Sequence, residues 1–213
     1  MHSFDSPYAS ISRAVLYTIV ACLFVAELAV LWTALHPNVA PDYRAFYIDH
    51  TTTCLNRTVT SGAYSIGETV SFRPDGAAKA RSLKVCGWSG AVGNGTHSLG
   101  EMSRLRFALD SQAPSVDLIL TLEVAPVLRP GTPAQDVSVS ANGRQLHRAT
   151  LTNQEPATID VPLDRSTLHE SGVLEIQLDY PNSIATSRLA SNTSNRAIKL
   201  LSLRLDEPSP LDD

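Results

Sequence analysis

The sequence predicts an antiparallel β-sandwich of jelly-roll-like form, preceded by one transmembrane α-helix. Three observations lead there. Residues 14–35 form an apolar block interrupted by a single charge, Glu27. Beyond it, short stretches of β-forming residues recur at near-regular spacing, with no sustained amphipathic helix between them. Thirteen prolines and eleven glycines punctuate the 213 residues, as a strand-and-turn domain requires.

Composition narrows the possible functions. The chain is 43% hydrophobic and 18% charged, with a formal net charge of −4. A disordered chain would need lower hydrophobicity and higher net charge. Nucleic-acid binding would call for a basic domain or stripe, and none is visible, so no nucleic-acid partner is expected.

In chain order, residues 1–13 read as a short cytoplasmic tail ending at Arg13. Residues 14–35 follow as the membrane span. At a rise of 1.5 Å per residue, about 20 apolar residues cross a hydrocarbon core of ~30 Å. Tyr17 and Trp32 lie about 22 Å apart along such a helix, a spacing that suits amphipathic rings at the two interfaces. The rival is a cleaved signal peptide, whose apolar core should run only about 7–15 residues before a small-x-small cleavage site. Here the core is longer, and Asn38-Val39-Ala40 carries Asn at the first small position. An uncleaved signal-anchor is therefore the preferred reading.

Orientation and compartment follow from charge and cysteine usage. Arg13 edges the span, whereas the first arginine beyond it is Arg44, so the positive-inside rule puts the amino terminus in the cytoplasm. Fourteen arginines against three lysines point to a GC-rich bacterial genome, hence to the inner membrane with the main domain in the periplasm. In that setting the sequons at Asn56, Asn94 and Asn192 are chance matches; in a eukaryotic secreted protein they would be glycosylation acceptors. Cys22 falls within the span, which leaves Cys54 and Cys86 as the pair in the exported domain. The simplest reading is a disulfide, stabilising by about 3–4 kcal/mol in the chain-entropy model, and two buried free thiols are the alternative.

Glu27 asks for a partner. A charged group near the middle of a membrane helix costs about 2.5–3.5 kcal/mol on insertion scales and usually faces a bundle or a polar cavity. Glu27 either contacts another integral membrane protein or is carried protonated in a strongly apolar span.

Residues 36–63 read as a juxtamembrane segment in which Pro37 and Pro41 stop the helix. Tyr43, Phe46, Tyr47 and Ile48 would lie close to the bilayer surface. Residues 64–206 read as the sandwich, with strands expected at 69–72, 82–88, 104–109, 116–125, 136–140, 144–150, 158–161, 173–180 and 198–205. In the fourth, Val116, Leu118, Leu120, Leu122 and Val124 share one face and Asp117, Thr121 and Glu123 the other, the period of a half-buried strand. Asn142-Gly143 is a type I′ hairpin signal. Residues 163–170 suit one helical turn, and 207–213 a disordered tail.

Motifs for catalysis are missing. The sequence has no G-x-S-x-G elbow and no phosphate-binding P-loop. His169-Glu170 lacks the second histidine of a zinc-protease helix, and His36, His50, His97 and His147 are scattered singly, so no metal site is expected. Gly87 to Gly95 is glycine-rich without the following helix that phosphate binding needs, and reads as a long inter-strand loop. It starts at Trp88 and runs through Asn94, Thr96 and His97 to Glu101. An aromatic face beside polar groups suits sugar binding, while a buried sandwich Trp is usually a core residue.

Several motifs occur in a recognisable order: Tyr64-Ser65-Ile66-Gly67-Glu68, Gly87-Trp88-Ser89, Asn142-Gly143, Tyr180-Pro181-Asn182, and Asn195-Arg196 before a Leu-rich stretch. This order resembles the periplasmic β-sandwich module at the carboxyl ends of bacterial membrane glycosyltransferases and related envelope polysaccharide proteins. The chain departs from that pattern at Val92, Gly93 and His97, where an acidic residue and a second Trp are usual, and at Asn195, where Asp is usual. The resemblance implies a non-catalytic accessory role near envelope glycan assembly, without catalytic residues or cofactors. Its partners would be a glycan or an integral glycosyltransferase or polymerase. The candidate glycan contacts are Trp88, His97, Glu101 and Arg196. Rival expectations are a jelly-roll hydrolase or lyase acting on envelope carbohydrate, with Glu68, Glu101 or Asp110 among its acids, and a purely structural subunit of a membrane complex.

Overall fold

The computed structural model describes residues 7–36, 38–55, 61–110, 116–168, 171–184 and 194–208. The chain divides into two compact units, Met1–Ala40 and Pro41–Asp213. The first contains helix α1 (Pro7–Leu35), in which Arg13–Leu35 is long and apolar enough to cross a membrane. The helix holds Glu27 and the free Cys22 on exposed positions.

The second unit opens with α2 (Pro41–Tyr47). Proline here begins a helix instead of only ending one, because the missing N–H at the first position would have had no intrahelical partner. Pro37 lies outside the described residues. Twelve strands follow among the described residues. They are β1 (Gly62–Tyr64), β2 (Thr69–Ser71), β3 (Lys84–Cys86), β4 (Trp88–Val92), β5 (Gly95–Ser98), β6 (Met102–Leu109), β7 (Leu118–Pro126), β8 (Gln135–Ala141), β9 (Arg144–Leu151), β10 (Ala157–Leu163), β11 (Val173–Asp179) and β12 (Ile198–Asp206). One further helix, α3 (Ala77–Leu83), separates β2 from β3.

The strands form two six-stranded sheets, which makes the unit a β-sandwich. One runs β1-β6-β11-β8-β9 with β3 also on β6; the other runs β10-β7-β12-β5-β4 with β2 also on β12. All pairings are antiparallel except β1 with β6. From β5 onward the chain steps from sheet to sheet, and only the β8–β9 hairpin stays in place.

Alternation along the strands builds the core. Leu105, Phe107 and Leu109 of β6, Leu118 to Val124 at every second position of β7, Val137 and Val139 of β8, and Leu174, Ile176 and Leu178 of β11 are all buried in one cluster. The period-2 arrangement puts these side chains on one face of each strand and polar ones on the other. In β12 a register shift between Leu200 and Ser202 changes the phase, so that neighbouring Leu200 and Leu201 are both buried. The Asn142-Gly143 turn between β8 and β9 has positive φ at both residues (47° and 81°), as a type I′ turn demands. The helical turn expected after β10 is a short 3-10 turn at Arg165–Thr167. His169 and Glu170, the sequons at Asn56 and Asn192, and the end of the expected tail from 209 on lie outside the described residues.

Two sequence readings need correction. Residues 82–88 are not one strand: Ala77-Ala78-Lys79-Ala80-Arg81 are strong helix formers, and α3 buries Ala80 and Leu83 on the core. The strand begins only at Lys84, where the backbone turns extended. Likewise, Gly87–Gly95 is not a long loop but mostly the β4 arm of the β4–β5 hairpin, with Val92 opposite Gly95 and Gly93-Asn94 as its turn. Glycine serves close approach here as well as turning. A Cβ on Gly95 would lie 2.6 Å from the Leu200 carbonyl oxygen, so no other residue lets β5 lie against β12 in this register.

Candidate functional site

The Cys54–Cys86 disulfide is formed. It joins the segment after α2 to the end of β3, and neighbouring contacts reinforce it. The Gly87 amide donates to Thr53 Oγ1 at 2.8 Å, the Glu101 amide donates to the Thr51 carbonyl at 2.8 Å, and Thr52 bridges Gly100. Residues 51–54 are thereby held against the start of β6.

This anchoring creates one wall of an open cleft of about 510 Å³. Ala45 of α2, Thr51 and Thr52 line that wall. Met102, then Asp179, Tyr180 and Pro181 at the end of β11, line the floor, exposed Glu101 stands at the mouth, and Ser138 of β8 with Gln145 and Arg148 of β9 complete it. Strand alternation supplies the polar groups: Ser138 stands between inward Val137 and Val139, and Gln177 and Asp179 flank inward Leu178.

A hydrogen-bonded ladder runs across β6 and β11 into the cleft. Arg104 Nε donates to Gln177 Oε1 at 3.1 Å, and Gln177 Nε2 donates to both Asp179 oxygens at 2.9 and 3.1 Å. The cation on one side and the carboxylate on the other fix which way the Gln177 amide faces. Burial pushes the Asp179 pKa upward, while the Gln177 hydrogen bond and the Arg104 charge act against the rise.

On β9, Arg148 is held by Asp136 at 3.4 Å. Asp136 also accepts from Thr150 Oγ1 at 2.6 Å and Asn182 Nδ2 at 3.3 Å. The Thr150 hydrogen bond is the main reason that the Asp136 pKa lies below its usual value.

Of the four glycan contacts expected from sequence, only Glu101 lines this cleft. Its backbone is clamped on both sides, by the Thr51 carbonyl and by the Tyr180 amide, which donates to the Glu101 carbonyl at 2.7 Å. Trp88 packs against the core, with its ring 6.3 Å from Phe72 by centroids and its Nε1 donating to the Arg104 carbonyl at 3.0 Å. Trp88 is paired with Ser98, so His97, one residue earlier on β5, faces the other side of the sheet.

His97 and Arg196 do come together. His97 is paired with Lys199 of β12, and burial, then the charges of Arg196 and Lys199, lower its pKa from 6.5 to about 4. His97 Nδ1, Asn195 Oδ1 and Arg196 Nε are buried without a hydrogen-bond partner among the described residues.

Of the acids named for a hydrolase, Glu68 and Asp110 meet at Ser65, whose amide donates to Glu68 Oε2 at 3.4 Å, and both lie outside the cleft that Glu101 lines. Glu68 pairs with Lys79 at 2.9 Å, and Asp110 accepts from the Ser65 hydroxyl. Among the described residues no group of three or more His, Cys, Asp or Glu could hold a metal ion. The sequence reading missed Gln145, Arg148, Gln177 and Asp179. Each lies within an expected strand, but their convergence depends on strand order, which period-2 patterning does not encode.

No protein-family model matches this sequence, and no curated protein is similar to it. Similar solved structures include the CBM36-1 domain of a multidomain xylanase from the hindgut metagenome of Trinervitermes trinervoides. It is 14% identical, with a TM-score of 0.39, over 64% of this chain and 94% of that one. A CBM22-1 xylan-binding domain from Paenibacillus barcinonensis is 13% identical at a TM-score of 0.41, covering 70% and 97%. The mosquito-larvicidal Cry4Aa toxin from Bacillus thuringiensis reaches a TM-score of 0.42 at 7% identity, covering 71% and 26%. With TM-scores below 0.5, none of these likenesses bears on what this chain binds.

Proposed function

We propose that this protein is a non-catalytic, membrane-anchored accessory of envelope glycan assembly, whose sandwich binds a glycan in the cleft between α2, β9 and the end of β11. One observation carries the reading: hydroxyl, amide, carboxylate and guanidinium groups from separate elements converge on a single open surface. Planar amides and carboxylates offer the paired donors and acceptors that adjacent sugar hydroxyls require, and the backbones beneath them are fixed by sheet pairing. Arg13–Leu35 would tether the domain in the inner membrane, with the amino terminus in the cytoplasm and the sandwich in the periplasm. Glu27 would contact an integral glycosyltransferase or polymerase.

The experiment is a glycan array probed with the full-length protein in mild detergent, beside Gln145→Ala and Asp179→Ala variants. Binding that these substitutions abolish supports the reading, and absence of binding to every glycan overturns it. Co-purification of a membrane glycosyltransferase or polymerase, lost in Glu27→Leu, tests the docking part.

A second reading has a specific observation behind it. Glu101 and Asp179 line the same cleft, and paired carboxylates are what a glycoside hydrolase uses. Release of reducing sugar from a bound glycan, abolished by Glu101→Gln, would establish the hydrolase instead of the binding protein.

A further inference from the structure

We infer that the cleft selects glycans carrying a free amino group, such as glucosamine-type residues, and rejects uronates and other polyanionic glycans. The inference rests on the proposed glycan site and concerns which sugars it takes.

The charges facing the cleft decide this. Glu101, Asp179 and Arg148 are the charged residues among its lining. Arg148 is paired with Asp136 through one guanidinium nitrogen, 3.4 Å away, so the pair adds little net charge at the cleft edge. Arg104, the other nearby cation, directs its Nε to Gln177 and does not line the cleft. What remains for a ligand is two carboxylates, Glu101 at the exposed mouth and Asp179 in the half-buried floor.

Asp179 is also oriented for the task. The Gln177 amide nitrogen reaches both of its oxygens from one side, 2.9 and 3.1 Å away. Each oxygen keeps acceptor capacity for a donor arriving from the cleft. A sugar ammonium would make a charge-assisted hydrogen bond there, about twice as strong as a neutral one. Burial strengthens the preference, because a half-buried carboxylate has less water to lose to a cationic ligand than an exposed one. A uronate in the same place would meet two like charges and no cation free of a carboxylate or amide partner. The neighbouring hydroxyls and amides, Ser138 and Gln145, suit sugar hydroxyls regardless of charge, so neutral glycans retain a weaker mode.

The test is calorimetric titration of the full-length protein in detergent at mildly acidic pH, with a chelator present so that no metal bridge contributes. The probes are a chitosan oligosaccharide, the N-acetylated oligosaccharide of the same length, and an oligogalacturonate. The expected result is that the chitosan oligomer binds about tenfold or more tighter than its acetylated counterpart, since one charge-assisted bond is worth about that much. Asp179→Asn should erase the difference between the chitosan oligomer and its acetylated counterpart, and Glu101→Gln should reduce it.

Equal binding of the two chitin-type probes, or binding of the galacturonate, would overturn the inference and leave the glycan site standing. An amine preference that survives both substitutions would also overturn it, because it would then come from the net negative charge of the chain. Absence of binding to all three probes, together with an empty glycan array, would remove the glycan site and the inference alike.

Discussion

The indole nitrogen of Trp88 donates a hydrogen bond to the carbonyl of Arg104, 3.0 Å away. The two residues belong to different sheets, so the tryptophan ties β4 to the start of β6, and its ring closes the core beside Phe72. The residue that most invites a sugar-stacking role is thereby engaged on both its polar and its apolar sides. We predict that Trp88→Ala lowers stability by about 2–3 kcal/mol, less than the ~3–5 for a fully buried Trp, because the ring is half-exposed. It should leave glycan affinity within about twofold, as distant sites behave independently. Denaturant midpoint and calorimetry on the same variant read the two effects separately; a loss of binding at unchanged stability would reinstate Trp88 as a ligand contact.

Tyr64 closes the other end of the sandwich. Its hydroxyl accepts from the Leu205 amide at 2.8 Å and donates to the Glu68 carbonyl, which ties β1 to the end of β12. Burial is the main cause that raises its pKa to about 12, so the hydroxyl stays a donor throughout the ordinary pH range. Tyr64→Phe keeps the ring against Phe107 but strands a buried N–H. The expected cost is about 1–3 kcal/mol, seen as a Tm about 2–4 °C lower for each kcal/mol in a protein of this size. An unchanged Tm would show that water replaces the hydroxyl.

Reduction or replacement of the disulfide is expected to cost about 3–4 kcal/mol for a bridge spanning 32 residues. The loss should concentrate where residues 51–54 meet Gly87 and Glu101. Hydrogen exchange in Cys54→Ser/Cys86→Ser is predicted to rise first at Gly87 and Glu101, whose amides bond to Thr53 and Thr51. Because Thr51 and Thr52 form one wall of the cleft, glycan binding should weaken under reducing conditions at temperatures where the core remains folded.

His97 gives the fold a pH dependence with a definite sign. Its pKa falls from 6.5 to about 4 in the folded state, so between those values the unfolded chain binds more protons. Stability should be fully present above pH 6.5 and fall as pH drops through the window toward 4. Asp179, raised above 3.8, has the opposite slope just above that value. Comparing the wild type with His97→Asn isolates the histidine: the variant should show a flatter decline between pH 6.5 and 4. Parallel curves for the two proteins would mean that His97 charges in place without strain.

Much of the architecture was legible in the residues themselves. The apolar block at 14–35, the period-2 strand at 116–125, the Asn142-Gly143 turn and the Cys54–Cys86 pair each act through local geometry or through elimination among three cysteines. Such signals survive without knowledge of neighbours. Legibility failed at α3, where a short helix had too few residues to show a period, and at the β4–β5 hairpin, where glycine signals both a loop and a close approach. Gly95 is required by a backbone oxygen of Leu200, more than a hundred residues away in sequence.

The candidate site was the least legible part. Glu101 was singled out, but the residues that join it come from β8, β9 and β11, and nothing in their own segments distinguishes them from other outward-facing polar positions. By itself the sequence determined that there is one apolar helix, a sandwich core and a disulfide, because hydrophobic periodicity and covalent chemistry are properties of short stretches. Only the tertiary structure decided which outward faces meet. Strand order is set by packing of the whole core, and that order places Asp179, Gln145, Arg148 and Glu101 around one cleft while turning Trp88 inward and His97 to the opposite face of β5.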